Sequence, residues 1–159
     1  MRSRLIRSSA VMVLLACRQT GAPERAEWLR PGAPDHQVKV ERDGTVLASF
    51  TGSRARAILD GNHLSIELTS PDGLHRLTIE VDGSRSGVYP LAPTFQAEKA
   101  VILLVSHGVP ARVSPAQGEL ELNRADGNCS GRFTGRARDE NGYRYAFEGS
   151  FSTVPVERL

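Results

Sequence analysis

The sequence predicts an all-β domain, an antiparallel β-sandwich of about nine to ten hairpin-connected strands, with an up-and-down β-barrel as the alternative. Three observations carry this. No window shows the apolar spacing of an amphipathic helix. Apolar and polar residues alternate instead, and Asp-Gly, Asn-Gly and Pro-Asp-Gly turns separate the alternating segments. Placing those turns also makes the facing residues agree, with apolar side chains on one face and opposite charges on the other.

Taken in order, Asp60-Gly61 reads as a two-residue type I′ loop that sets Ala57 opposite Leu64, Ala55 opposite Ile66 and Arg54 opposite Glu67. For Ser70-Pro71-Asp72-Gly73, a four-residue loop sets Ile66 opposite Leu77, Leu64 opposite Ile79 and Glu67 opposite Arg76, which is the more consistent pairing. Arg54, Glu67 and Arg76 then form a charge ladder across three strands. Gly87-Val88-Tyr89-Pro90-Leu91 reads as a short strand entering an irregular connection. The uninterrupted run Val101-Ile102-Leu103-Leu104-Val105 predicts a central strand covered on both faces. A long connection from His107 to Gln117, carrying Pro110 and Pro115, follows it.

Asp126-Gly127 as a two-residue loop sets Leu120 opposite Phe133, Leu122 opposite Gly131 and Glu121 opposite Arg132. In the last hairpin, Glu140-Asn141-Gly142 is a three-residue loop with its glycine left-handed. This sets Gly135, Phe133 and Gly131 opposite Phe147, Gly149 and Phe151. Each aromatic faces a glycine whose bare backbone a ring can cover, which accounts for glycines inside strands they would otherwise weaken.

The chain before these strands has a different character. Arg2, Arg4 and Arg7 precede a short apolar stretch, Ser8 to Ala16, which ends at Cys17. That stretch is too short to cross a hydrocarbon core of ~30 Å. Residues 1–16 resemble the signal peptide and lipobox of bacterial lipoproteins, which implies cleavage before Cys17 and lipidation of its thiol. An ordinary secretory cut after Thr20-Gly21-Ala22 is the alternative. Residues 17–35, rich in Pro, Gly and charge, read as a flexible tether spanning roughly 25 Å, and residues 36–159 as a single all-β domain.

Gly87-Val88-Tyr89-Pro90-Leu91, Gly118-Glu119-Leu120-Glu121-Leu122, and Ser130-Gly131-Arg132-Phe133-Thr134-Gly135 with Gly149-Ser150-Phe151 add to the lipobox. Together they resemble β-sandwich lipoproteins of Gram-negative bacteria, a group defined by location and fold and not by a chemistry. Arg18 after the cysteine is not the aspartate linked with inner-membrane retention, so the resemblance implies lipid anchoring in the outer membrane, facing the periplasm. A secreted or periplasmic protein is the alternative.

The charge supports no nucleic-acid partner. The precursor has 20 Lys+Arg and 18 Asp+Glu, and loss of Arg2, Arg4 and Arg7 leaves 17 against 18, a mature sum of −1. If Cys17 carries lipid, Cys129 is a lone thiol whose simplest role is a buried small apolar residue. No CxxC or paired Cys/His spacing suggests zinc, so no metal or cofactor is expected.

No catalytic constellation stands out among His36, His63, His75 and His107. His63 falls on an outward face near Glu80. His75, under the four-residue loop, lies inward opposite Leu68, and Ser106-His107 are strand neighbours whose side chains point to opposite faces. One cluster stands out: Arg132, Arg136, Arg138 and Arg144 share the outward face of the last hairpin, and Arg138 opposite Arg144 is a like-charge pair that the fold does not need. Such a cluster suits an anionic head group or an acidic envelope protein. The resulting expectation is a non-enzymatic envelope lipoprotein acting as a binding or assembly module. The alternative is a calycin-like barrel holding a small apolar ligand against Leu64, Ile66, Leu77, Ile79, Leu120, Phe133 and Phe147.

Overall fold

The computed structural model describes residues 35–52, 54–107 and 114–159, so the signal peptide, Cys17, almost all of the tether, and Pro110 lie outside the described residues. Ten strands follow one another: β1 His36–Arg42, β2 Thr45–Gly52, β3 Arg54–Asp60, β4 His63–Thr69, β5 His75–Asp82, β6 Gly87–Pro90, β7 Ala100–Ser106, β8 Gln117–Ala125, β9 Asn128–Arg138 and β10 Arg144–Arg158. They form one sheet in the order β6-β8-β9-β10-β3-β4-β5-β7, with β1 and β2 branching off at β10. A parallel bridge between Leu91 and Ala100 links the chain leaving β6 to the start of β7, so the sheet nearly closes into a barrel. The architecture combines the two expected forms. It is also mixed where a wholly antiparallel sheet was expected, because the end of β10 runs parallel to β3, pairing Val156 with Ala57 and Arg158 with Leu59.

The fifteen residues of β10 make this branching possible. Its first half is flanked by β1 and β9. At Phe151/Val154 the register with β9 shifts, and Thr153 takes φ 54°, a left-handed conformation costly for a β-branched residue. Past that bend the strand turns to β3. Apolar side chains from β1 to β10 converge in a single core that includes Val40, Leu64, Ile79, Leu104, Leu120 and Phe133.

Both later hairpins fold as expected. Asp126 (φ 52°) and Gly127 (φ 77°) make the two-residue loop, and Leu120, Glu121 and Leu122 face Phe133, Arg132 and Gly131. In the final hairpin, Gly142 is left-handed at φ 85°, and Gly135, Phe133 and Gly131 face Phe147, Gly149 and Phe151. A Cβ on Gly149 would lie 2.5 Å from Phe133 Cζ, and one on Gly131 2.7 Å from Phe151 Cζ. At Gly135 the space is taken by Leu91 and Pro115 instead of the facing Phe147.

The two earlier hairpins differ from expectation by two residues of register, which keeps every side chain on its expected face. In the first, Gly61-Asn62 is the loop, with Gly61 at φ 58°, the type II′ pattern. Asp60 therefore pairs with His63, Ala57 with Ile66 and Arg56, not Arg54, with Glu67. In the second, Ser70 is drawn into the ladder. Its amide donates to the His75 carbonyl at 2.9 Å, its hydroxyl accepts from the His75 amide at 3.0 Å, and the loop is Pro71 to Leu74. Leu68 thus pairs with Leu77, Ile66 with Ile79 and Thr69 with Arg76. The charge ladder is rearranged: Arg76 reaches Glu67 diagonally at 3.5 Å, while Arg56 pairs with Glu157 of β10 at 2.9 Å.

The apolar run also lies elsewhere than expected. β7 sits at the end of the sheet order, next to β5. Ala100, Ile102 and Leu104 are buried, but Val101 and Leu103 are half-buried and Val105 is exposed. A run of apolar residues records affinity for a core on one face and leaves the cover on the other face undetermined.

Candidate functional site

Across β9, β10, β1 and β2, the ladder arranges outward side chains in rows. Arg132 pairs with Ser150, Ser150 with Gln37 and Gln37 with Thr51. The next row runs Thr134, Glu148, Lys39, Ser49, and the third Arg136, Ala146, Glu41. Arg138 then faces Arg144 beside the turn. The four arginines of the sequence expectation therefore lie on one exposed face.

Their partners differ. Arg132 Nε donates to Glu121 Oε2 at 2.7 Å. Arg144 Nε lies 3.6 Å from Asp43 Oδ1, and its amide donates to the same oxygen at 3.1 Å. Glu148 meets Lys39 at 3.4 Å and no arginine, and Lys39 also meets Glu41 at 2.6 Å, which raises the lysine pKa. Arg136 and Arg138 have no ion pair among the described residues.

The turn beside them is held by one carboxylate. Asp139 Oδ1 accepts the amides of Asn141 and Tyr143 at 2.9 and 3.0 Å, and Oδ2 accepts the Tyr145 hydroxyl at 3.0 Å. The Arg42 guanidinium lies over the Tyr143 ring at 5.1 Å. Two open clefts meet on this surface. One of about 580 Å³ is lined by Thr134, Arg136, Ala146 and Glu148, and one of about 270 Å³ by Arg136, Arg144, Asp43 and Glu41.

The histidines divide into surface and seam. His63 Nε2 lies 2.6 Å from Glu80 Oε2 on the outward face, as expected, and its ring meets the Phe95 edge. His75 meets Ser70 and not Leu68 on its β4 side, and on its β7 side it faces Ser106, with Nδ1 2.6 Å from Ser106 Oγ. The sequence offered no sign of this pair, because the long connection between β5 and β7 hides their register. No carboxylate hydrogen-bonds His75 among the described residues, and Ser106 is buried, so the contact staples β7 to β5. His75 also stacks on Phe50, whose other neighbour is His36. His36 is buried. Its Nε2 meets the Thr69 carbonyl at 3.1 Å, Nδ1 has no hydrogen-bond partner among the described residues, and burial lowers its pKa. Cys129 is buried, which pushes its thiol up to about 11 and leaves it unreactive.

The seven residues expected to line an apolar ligand cavity, Leu64 and Phe133 among them, are at most 2% exposed and belong to the common core. Among the described residues, no three His, Cys, Asp or Glu side chains group as metal ligands. Nor, among the described residues, is any helix long and apolar enough to cross a membrane. Compared with protein-family models, curated proteins and solved structures, the chain matches none.

Proposed function

We propose that the domain is a non-catalytic binding module of the bacterial envelope, anchored in the outer membrane by a lipid on Cys17 and facing the periplasm. Its contact surface is the outer face of β9 and β10, and its partner is anionic. The observation that supports this reading most is the pair Arg136 and Arg138, two residues apart on one face, with no ion pair among the described residues. Guanidinium groups so placed bind phosphate or carboxylate oxygens in pairs. The like-charged Arg138 and Arg144 cost stability when empty and gain when an anion lies between them. The shared core of the seven candidate cavity residues favours a surface site over the ligand-carrying barrel.

Two measurements test the two halves of the proposal. Cys17→Ala is expected to move the protein from the membrane to the soluble fraction, and unchanged fractionation would refute the anchor. Titration of the full-length protein in detergent with inorganic tripolyphosphate, a minimal polyanion, is expected to show saturable, salt-sensitive binding that R136Q/R138Q weakens about tenfold or more. Binding unaffected by that double substitution would refute the contact surface.

A further inference from the structure

Arg136 and Arg144 lie at one end of a longer depression, with Arg138 facing Arg144 beside it. The cleft of about 580 Å³ shares Thr134 and Glu148 with a third cleft of about 590 Å³, which extends over Gln37, Ser49, Thr51 and Ser150. At its other end it shares Arg136 and Ala146 with the cleft of about 270 Å³. The three clefts form one trough along β10 from Ser150 to Arg144, seven residues or ~20 Å of strand.

Hydrogen-bonding capacity in this trough is unused. Gln37, Ser49, Thr51, Thr134 and Ser150 make no side-chain hydrogen bond among the described residues. Some hydroxyls elsewhere in the sheet are engaged, Ser65 with Glu80, Thr69 with Glu67, Ser70 with Asp72 and Ser106 with His75, and others such as Thr78 and Ser130 are not; what sets the trough apart is that its unengaged groups lie side by side across four strands. The charged groups at the open end of the row, Arg132 and Glu148, are neutralised by Glu121 and Lys39. One end of the trough therefore offers neutral donors and acceptors on a rigid sheet, and the other offers uncompensated positive charge.

From this juxtaposition we infer that the trough binds an extended acidic polysaccharide, with sugar hydroxyls against the Gln37, Ser49, Thr51, Thr134 and Ser150 row and a carboxylate or phosphate of the chain at Arg136 and Arg138. The inference rests on the anionic contact surface proposed above and adds the chemistry of the ligand. A compact anion would use only the arginine end, and a neutral sugar only the hydroxyl end. A polyhydroxylated chain bearing acidic groups matches both, over the length of the trough.

Isothermal titration of the full-length protein in detergent with oligogalacturonate tests this, with malto-oligosaccharide, tripolyphosphate and phosphatidylglycerol vesicles in parallel. Saturable binding of oligogalacturonate, tighter than that of malto-oligosaccharide, is expected. S49A/T51V, on β2 and away from the arginines, should weaken it about tenfold while leaving tripolyphosphate binding unchanged, because two ligand hydrogen bonds are removed and no charge is. Oligogalacturonate binding that ignores S49A/T51V would overturn the inference. Binding of tripolyphosphate or of the vesicles without oligogalacturonate would overturn the polysaccharide while leaving the anionic surface standing. Loss of discrimination by R136Q/R138Q for every anion would remove that surface and the inference with it.

Discussion

The two outward faces of the sheet spend their polar groups differently. On β3, β4 and β5, Arg56 is paired with Glu157, Arg76 with Glu67, His63 with Glu80, and the Ser65 hydroxyl with the same Glu80. On β9, β10, β1 and β2, Arg132, Arg144, Glu148, Lys39 and Glu41 are paired, and the hydroxyl row and the guanidiniums of Arg136 and Arg138 are left to solvent. Both faces are built on the same core by the same alternation, so folding does not require the difference. The first face leaves single groups such as Arg54 and Thr78 without a partner among the described residues, whereas the second leaves a contiguous set of hydroxyls and guanidiniums along one cleft, and for that reason the candidate site lies there.

The contrast can be broken at its base. Ile66 is fully buried under the β3–β5 face, and Ile66→Ala is expected to cost about 3–4 kcal/mol in urea unfolding, because it leaves a cavity in the common core. A single cooperative transition, with both faces lost together, is expected. Separate transitions would show that the two regions are independent units.

Gly149→Ala is aimed at the other region. The new Cβ would meet both the Phe133 ring at 2.5 Å and the Gln37 carbonyl at 2.6 Å, so strand or ring must move. About 2–3 kcal/mol of stability should be lost. A change within experimental error would mean that the ring over the glycine is not what holds the β9–β10 register.

At the seam between the two regions, His36 predicts a pH dependence. Burial lowers its pKa below the ordinary 6.5, against the opposing pull of the Thr69 carbonyl and of Asp35. The unfolded chain then takes up a proton at a pH where the folded protein keeps the ring neutral. Stability is full above about pH 6.5, falls as the pH drops below it, and levels off once the folded His36 is itself protonated. Urea titrations between pH 8 and pH 5 should show this decline, and His36→Gln should flatten it.

The smallest effect sharpens the contrast most. Arg138→Gln removes a like-charge opposition, so the isolated protein should gain a few tenths of a kcal/mol while its anion binding weakens. Arg56→Gln on the β3–β5 face removes a satisfied exposed pair that solvent screens, so it should change stability little, in the destabilising direction, and leave anion binding intact. Thermal melts with and without tripolyphosphate distinguish the two.

Alternation and turn residues are enough to specify the all-β class, the inward and outward set of every hairpin residue named, and the full register of the last two hairpins. Side-chain period two settles the face, and the glycine–aromatic pairs of β9 and β10 settle the register, since Phe133 over Gly149 has no alternative partner of the right shape. The register of β3, β4 and β5 was not legible, because a slip of two residues keeps every face and exchanges one aliphatic partner for another. Only the tertiary structure decided between them, by drawing Ser70 into the ladder and letting Gly61 open a type II′ turn. The arginine face was legible for the same reason the final hairpin was. The near closure of the sheet, the edge position of β7, the His75–Ser106 contact and the trough that joins hydroxyls to arginines were not. Each depends on strands far apart in the chain meeting at a bend in β10, and alternation along a strand carries no information about which distant strand will lie beside it.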